Sequence, residues 1–263
     1  MERISAILLT HFHSDHIGDL GEFRMLSWAA GRSTPLTVFG PDGVEDVVRG
    51  FNLAYQADDD YRSALHGLPT TEAPLIAHPF GLASAAERTT HMADTVLLDD
   101  GGLKITAFQV NHEPVYPAVG YRFDYKGRSV VFSGDTIRWP NVVTHAANAD
   151  VLIHEAQSED ARRILVQAFR RNGQDQLAEI MTDTSRYHTT ALDVASVANE
   201  ASVRLLVFNH LGPSAPDNLL TRLIFARGLN KIRPPSQWRT GFDGMIIDLP
   251  AGERTIQFAP KLR

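Results

Sequence analysis

The chain has 263 residues, 43% of them hydrophobic, enough to bury one sizeable core and to favour a single domain over two. A formal charge of −6 and a pI near 6.0 exclude a globally basic face, so tight, non-specific polyanion binding is not expected. The absence of cysteine removes disulfides, thiolate nucleophiles and Cys-ligated metal sites, leaving His, Asp and Glu as the available donors.

In chain order, ISAILL (4–9) is short, apolar and bounded by polar residues, as a strand covered on both faces should be. HFHSDH (11–16) then lies on the loop leaving that strand. Ile17, Leu20, Phe23 and Leu26 recur at close to helical spacing, with Gly31 as the stop. PLTVFG (35–40) is a second strand, after which Asp42 is predicted to cap a helix carrying Val44, Val47, Val48 and Phe51. From 56 to 95 the pattern dissolves into polar sequence, read as an irregular lid that ends in a possible strand at TVLL. LKITAFQV (103–110), AVGYRFDY (118–125) and RSVVFSG (128–134) read as antiparallel strands, with Lys126-Gly127 as a tight turn. DVLIHEA (150–156) is another buried strand. A helical stretch from Ser158 breaks at Gly173, Thr190 and Asp193 resemble a capping box for ALDVASVANEA, and RLLVFNH is a further strand. GMIIDL and ERTIQFA close the chain as a hairpin.

Imidazoles and carboxylates recur at the strand ends: His11 to His16, His112, Asp135, His154 and His210. Strand ends are where sites assemble in layered α/β proteins, and these side chains are the ligand set of zinc and related divalent ions. Taken singly, His112, His154 and His210 read as satisfied structural histidines, and Asp135 in SGDT as a turn residue. The HFHSDH cluster is different. Three imidazoles and a carboxylate packed behind a buried strand call for a cation between them.

HxHxDH at 11–16 resembles the signature of the metallo-β-lactamase superfamily, and His112 in VNH, Asp135 in FSGDT and His210 in FNH match its later positions in order and kind. The resemblance implies an αββα sandwich holding two divalent metal ions, zinc first, with iron or manganese as alternatives. His11, His13 and His112 would hold one ion, Asp15, His16 and His210 the other, and Asp135 would bridge them. HEA (154–156) and YHTTALDVASVANEASVRLLVFNH (187–210) are similar to the ribonuclease Z group, which includes relatives described as arylsulfatases and phosphodiesterases. Glu155 and His188 match a Glu and His that act together on the leaving group there. The implied reaction is hydrolysis of a phosphodiester, sulfate ester or related small ester by water activated between the ions, with Asp15 orienting that water.

Members of that superfamily carry some tens of residues ahead of HxHxDH, whereas this sequence starts ten residues before His11. A sandwich with its N-terminal strands truncated is therefore expected, with an exposed edge that pairs with a second copy as a homodimer. The domain is expected to span 1–263, with a helical insert at about 157–187 covering the site. Arg162, Arg163, Arg170 and Arg171 in that insert are offset by Glu159, Asp160, Asp175 and Glu179, and no basic Gly- and Pro-rich arm is present. A small-molecule ester is therefore favoured over RNA. The alternatives are a lactonase or β-lactam hydrolase on the same metals, or, in another class, an RNA- or metal-binding module with weak catalysis. His66, His78 and His91 read as loop histidines that could line the pocket. No apolar run approaches the roughly 18 residues of a spanning helix, and the first residues do not show the basic-then-apolar pattern of a signal sequence. No membrane association and a cytoplasmic location are thus expected by default, an exported form requiring a signal peptide ahead of this start.

Overall fold

The computed structural model describes residues 4–81, 92–213 and 219–259. Its contacts group into two compact units, Met1–Ala93 and Asp94–Arg263.

In the first unit, β1 (Ala6–Leu8) is followed by α1 (Ser14–Ile17), α2 (Leu20–Ala29), β2 (Leu36–Pro41), α3 (Val44–His66) and β3 (Leu75–Phe80). The three strands form a parallel sheet in the order β1-β2-β3. Such a sheet needs apolar cover, and Val44 and Val48 of α3 supply it with Leu20 of α2 against Leu36, Val38 and Leu75. Burial of each of these side chains contributes about 1.5–3 kcal/mol. Two expectations need correction. Asp42 does not cap α3, because the N-cap position is Gly43, held at φ 101 with no side-chain cap. The polar stretch after residue 56 is not irregular either, since α3 continues to His66 and ends at Gly67 with φ 68. Its polarity is that of a solvated helix face, with an Arg62–Asp58 ion pair at 2.7 Å. One polar side chain turns inward: Asp59 accepts from Arg24 Nη1 at 2.8 Å and also from Nη2, a buried bidentate pair joining α3 to α2. His66 ends α3, His78 lies in β3 with its ring 5.1 Å from that of Phe39, and His91 lies outside the described residues.

The second unit runs β4 (Thr95–Asp100), β5 (Leu103–Gln109), β6 (Val119–Tyr125), β7 (Arg128–Phe132), α4 (Pro140–His145), β8 (Val151–Gln157), α5 (Glu159–Arg171), α6 (Asp175–Asp183), α7 (Ala191–Glu200), β9 (Leu205–Gly212), α8 (Leu219–Phe225), α9 (Leu229–Ile232), β10 (Trp238–Thr240), β11 (Ile246–Asp248) and β12 (Gln257–Ala259). A seven-stranded sheet has the order β10-β9-β8-β7-β6-β5-β4. β4 to β7 are antiparallel and β7 to β10 are parallel. Lys126 and Gly127, at φ 48 and φ 76, make the two-residue turn from β6 to β7. Phe108, Val131, Leu152, Leu206 and Phe208 carry the core against α4 and α7, whose Val142, Val194 and Val197 are fully buried. α7 starts where Thr190 Oγ1 accepts from Asp193 N at 3.2 Å and donates to the Asp193 carboxylate at 2.6 Å. α8, α9 and β10 were not anticipated from the sequence. β11 and β12 form the closing antiparallel hairpin. Arg128 ties this end of the chain to the sheet, pairing with Asp150 at 3.0 Å while donating to the carbonyls of Pro250 and Thr255. No helix among the described residues is long and apolar enough to cross a membrane.

Candidate metal centre

In the first unit the donors gather immediately after β1. Leu9 N donates to Phe39 O at 2.8 Å, extending the pairing to β2 by one residue before the chain breaks away. Phe12 packs into the apolar core beside Gly43, where an added Cβ would lie 3.2 Å from its ring. That anchor fixes the histidines on either side. His11 Nε2 and His13 Nδ1 come to 3.1 Å, with His11 Nδ1 3.1 Å from Thr10 Oγ1. His13 O accepts from His16 N at 3.0 Å and Ile17 N at 3.2 Å, and the turn thus closed brings the His16 and His11 ring centroids to 4.0 Å. Asp15 Oδ2 stands 3.4 Å from His16 Nε2. Two nitrogens on one tetrahedral ion, each about 2.0–2.1 Å from it, sit about 3.3–3.4 Å apart. The spacing of His11 and His13 fits a divalent metal.

In the second unit the donors stand on loops held by a backbone and hydroxyl network. The SGDT loop leaves β7 with Gly134 at φ 62, Ser133 N donating to Ile153 O at 3.0 Å and Ser133 Oγ accepting from Glu155 N at 3.1 Å. Thr136 Oγ1 accepts from Asn111 N at 3.2 Å, and Ile137 N donates to Asn111 O at 2.8 Å, so the loop bearing Asp135 is fastened to the residue before His112. Asp135 is buried, not a solvated turn residue. His112 Nδ1 donates to Tyr187 O at 2.8 Å, which fixes the neutral tautomer and leaves Nε2 as the lone-pair nitrogen, 3.9 Å from Asp135 Oδ2. His210 is the extra residue of a bulge: Glu155 pairs with Asn209 and Ala156 with Leu211, and His210 between them takes φ 42. A bulge re-aims a side chain. Here it sets His210 Nε2 3.6 Å from the same Asp135 Oδ2. Asp135, His188 and His210 each offer a donor atom within 4.8 Å of the others.

Glu155 and His188 form a pair beside these donors. Glu155 Oε1 accepts from Thr189 N at 3.0 Å and Thr136 N at 3.3 Å, and lies 3.2 Å from His188 Nδ1. Burial pushes the Glu155 carboxyl above the usual range, while His188 and the Thr189 N–H pull the other way. Its Oε2 has no hydrogen-bond partner among the described residues. The His188 ring is stacked on that of His210 at 5.6 Å and lies 5.1 Å from that of His112. His154, which follows the same strand-end pattern, behaves as a core histidine. Its Nδ1 donates to Glu155 O at 2.6 Å, and burial pushes it down to about 4.

Each expected site residue thus falls into one of two within-unit groups: His11, His13, Asp15 and His16 in the first unit, and His112, Asp135, Glu155, His188 and His210 in the second. Sequence reasoning missed Thr136 and Thr189, whose backbone N–H groups hold Glu155; the threonines in SGDT and YHTT were the available signal.

Residues 1–211 match the family described as the beta-lactamase superfamily domain. A protein named ribonuclease Z from Mycobacterium bovis is 33% identical over 214 residues, covering 80% of this chain and 68% of that one. A second ribonuclease Z, from Mycobacterium marinum, is 31% identical over 214 residues, with the same coverage of 80% and 68%. Among solved structures, human tRNase Z, short form, superposes with a TM-score of 0.55 at 22% identity, covering 80% of this chain and 73% of that one. The metallo-beta-lactamase fold protein YhfI from Bacillus subtilis does so with a TM-score of 0.54 at 20% identity, covering 91% and 76%. Both structural likenesses are statements of fold. The family match over residues 1–211 and the relatives at 33% and 31% identity show that this chain belongs to the beta-lactamase superfamily, as a metal-dependent hydrolase of the metallo-β-lactamase fold.

Proposed function

We propose that this chain hydrolyses phosphodiesters with two divalent metal ions, zinc first among them. The reading assigns His11, His13 and His112 to one ion, Asp15, His16 and His210 to the other, and Asp135 to both. The observation that carries it is Asp135 Oδ2, a single buried carboxylate oxygen 3.9 Å from His112 Nε2 and 3.6 Å from His210 Nε2. When bound, two such ions supply a water of near-neutral pKa and Lewis acidity at the substrate's oxygens.

The chain's own residues do the rest. Asp15 accepts a hydrogen bond from the attacking water and orients it. His188, with Nδ1 directed to Glu155 at 3.2 Å, keeps Nε2 for the leaving oxygen. Glu155, held by two backbone N–H groups, sets the tautomer and orientation of that imidazole.

The relatives named ribonuclease Z favour phosphorus over sulfate esters, lactones or β-lactams as the site of attack. The charge of −6 favours a small diester over a long polyanion. RNA is the second reading, favoured by those relatives' name. The test is a side-by-side assay of metal-loaded protein on bis(p-nitrophenyl) phosphate, p-nitrophenyl sulfate, a lactone, a β-lactam and precursor tRNA. The diester should be turned over fastest. Faster sulfate, lactone or β-lactam cleavage overturns the reading, and faster tRNA cleavage selects the RNA alternative.

A further inference from the structure

Between α6 and α7 the chain makes a short helical turn, Thr184–Arg186, followed by Tyr187 and His188. Tyr187 N donates to Thr184 O at 3.4 Å and closes that turn. The buried side chain of Gln157, at the end of β8, holds the segment at both ends. Its Nε2 donates to Thr184 O at 3.3 Å and to His188 O at 3.4 Å, and its Oε1 accepts from Thr184 Oγ1 at 3.4 Å. Gln157 N adds a shorter bond, donating to Thr189 O at 2.9 Å. The side-chain contacts are long and individually weak, so it is their convergence with the backbone bond that places the segment. Glu155 lies on the same strand, so β8 carries the carboxylate that faces His188 and also anchors the turn that bears His188.

Tyr187 stands in the middle of this segment and meets both imidazoles. Its carbonyl accepts from His112 Nδ1 at 2.8 Å. Its ring is edge-on to that of His112, with centroids 5.4 Å apart and planes at 86°, and lies 5.0 Å from that of His188 at 55°. The His112 and His188 rings are themselves 5.1 Å apart, so the three rings close a triangle. These separations are those of edge-to-face pairs, whose preferred geometry fixes ring angles as well as burying area. The Tyr187 hydroxyl makes no hydrogen bond among the described residues, so the ring, not the phenol oxygen, supplies the contact.

We infer that Tyr187 is a positioning residue that fixes His112 and His188 relative to one another. Its carbonyl sets the tautomer of His112, and its ring sets the angle of both imidazoles. The inference rests on the proposed reading, in which His112 holds an ion and His188 serves the leaving oxygen, and adds a dependence between them. Neither imidazole can turn without displacing the tyrosine ring.

The test follows the imidazole N–H protons by heteronuclear NMR of the full chain, labelled in its histidine nitrogens and free of metal, with His112→Gln and His188→Gln to assign the signals. Tyr187→Ala keeps the carbonyl and removes the ring. The Nδ1 protons of His112 and His188 should both exchange with water about tenfold faster than in wild type, as loss of two edge-to-face contacts implies, and Tyr187→Phe should restore both. Gln157→Met, which frees the turn without touching either imidazole, should also speed both exchanges. In metal-loaded protein, Tyr187→Ala should lower kcat for bis(p-nitrophenyl) phosphate about tenfold with KM within about twofold of wild type, again restored by Tyr187→Phe. Unchanged exchange at either histidine in both Tyr187→Ala and Gln157→Met overturns the inference, as does a phenylalanine variant that behaves like the alanine one. If wild-type protein turns over no phosphodiester, the reading beneath it fails, and the exchange comparison alone decides whether Tyr187 positions the two rings.

Discussion

Replacing Glu155 by glutamine and by alanine separates the charge of its carboxylate from the hydrogen bonds it accepts. Oε1 receives Thr189 N at 3.0 Å and Thr136 N at 3.3 Å, both in fully buried surroundings, and faces His188 Nδ1 at 3.2 Å. Alanine leaves two buried N–H groups without an acceptor, at about 1–3 kcal/mol each, for a total of about 2–6 kcal/mol. For a chain of this size that lowers Tm by on the order of 5–20 °C. Glutamine keeps an acceptor for both N–H groups and should melt within a few degrees of wild type. It nevertheless removes the carboxylate that faces His188 Nδ1 and sets the orientation of that ring. Loss of such a supporting carboxylate lowers turnover by about 10-fold to 100-fold. Calorimetry on both variants, with kcat and KM for bis(p-nitrophenyl) phosphate, separates the two effects: kcat falls in Glu155→Gln while KM and metal content hold. A Glu155→Gln enzyme within twofold of wild-type kcat, or an alanine variant that melts with the glutamine one, would refute the assignment.

Further outcomes follow from the same contacts. His188→Ala should lower kcat while metal content measured by elemental analysis stays at the wild-type level; parallel loss of metal would make His188 a ligand. Asp59→Ala should destabilise the protein by about 3–5 kcal/mol in urea denaturation, because it strands the Arg24 guanidinium, itself 1% exposed, without its bidentate partner. Burial pushes His154 down to about 4. An unfolded chain takes up the same proton near pH 6.5, so stability should fall as pH drops from about 6.5 towards 4, by about 2 kcal/mol at pH 5. His154→Gln should remove that part of the pH dependence in metal-free protein, and an unchanged slope would show that another group carries it.

The sequence made the site legible where donors are neighbours and hid it where burial comes from distant contacts. HFHSDH could be read because four donors lie within six consecutive residues. Asp135 could not be told from a turn aspartate, because what buries its loop comes from Asn111 and from Thr189 Oγ1, which donates to Thr136 O at 2.6 Å from 53 residues away. His112 and His154 look alike after a strand. They differ in what their Nδ1 atoms meet, Tyr187 O for one and Glu155 O for the other, and in what then lies near Nε2. The fold shows the same division. Alternating strands such as LKITAFQV, the Lys126-Gly127 turn and the Thr190 cap are local signals, and each appears where its residues put it. The second half of α3 was hidden because QADDDYRS is polar, which a solvated helix face and a loop share. α8 and β10 were missed because one places Leu219, Leu220 and Leu223 outward and the other has only three residues.

The most direct test of the dinuclear assignment is elemental analysis of freshly purified, unchelated protein. The assignment predicts about two ions of zinc, iron or manganese per chain, with at least one lost in Asp135→Ala. Protein that carries none of these metals, or an Asp135→Ala variant that keeps the full complement, would contradict it.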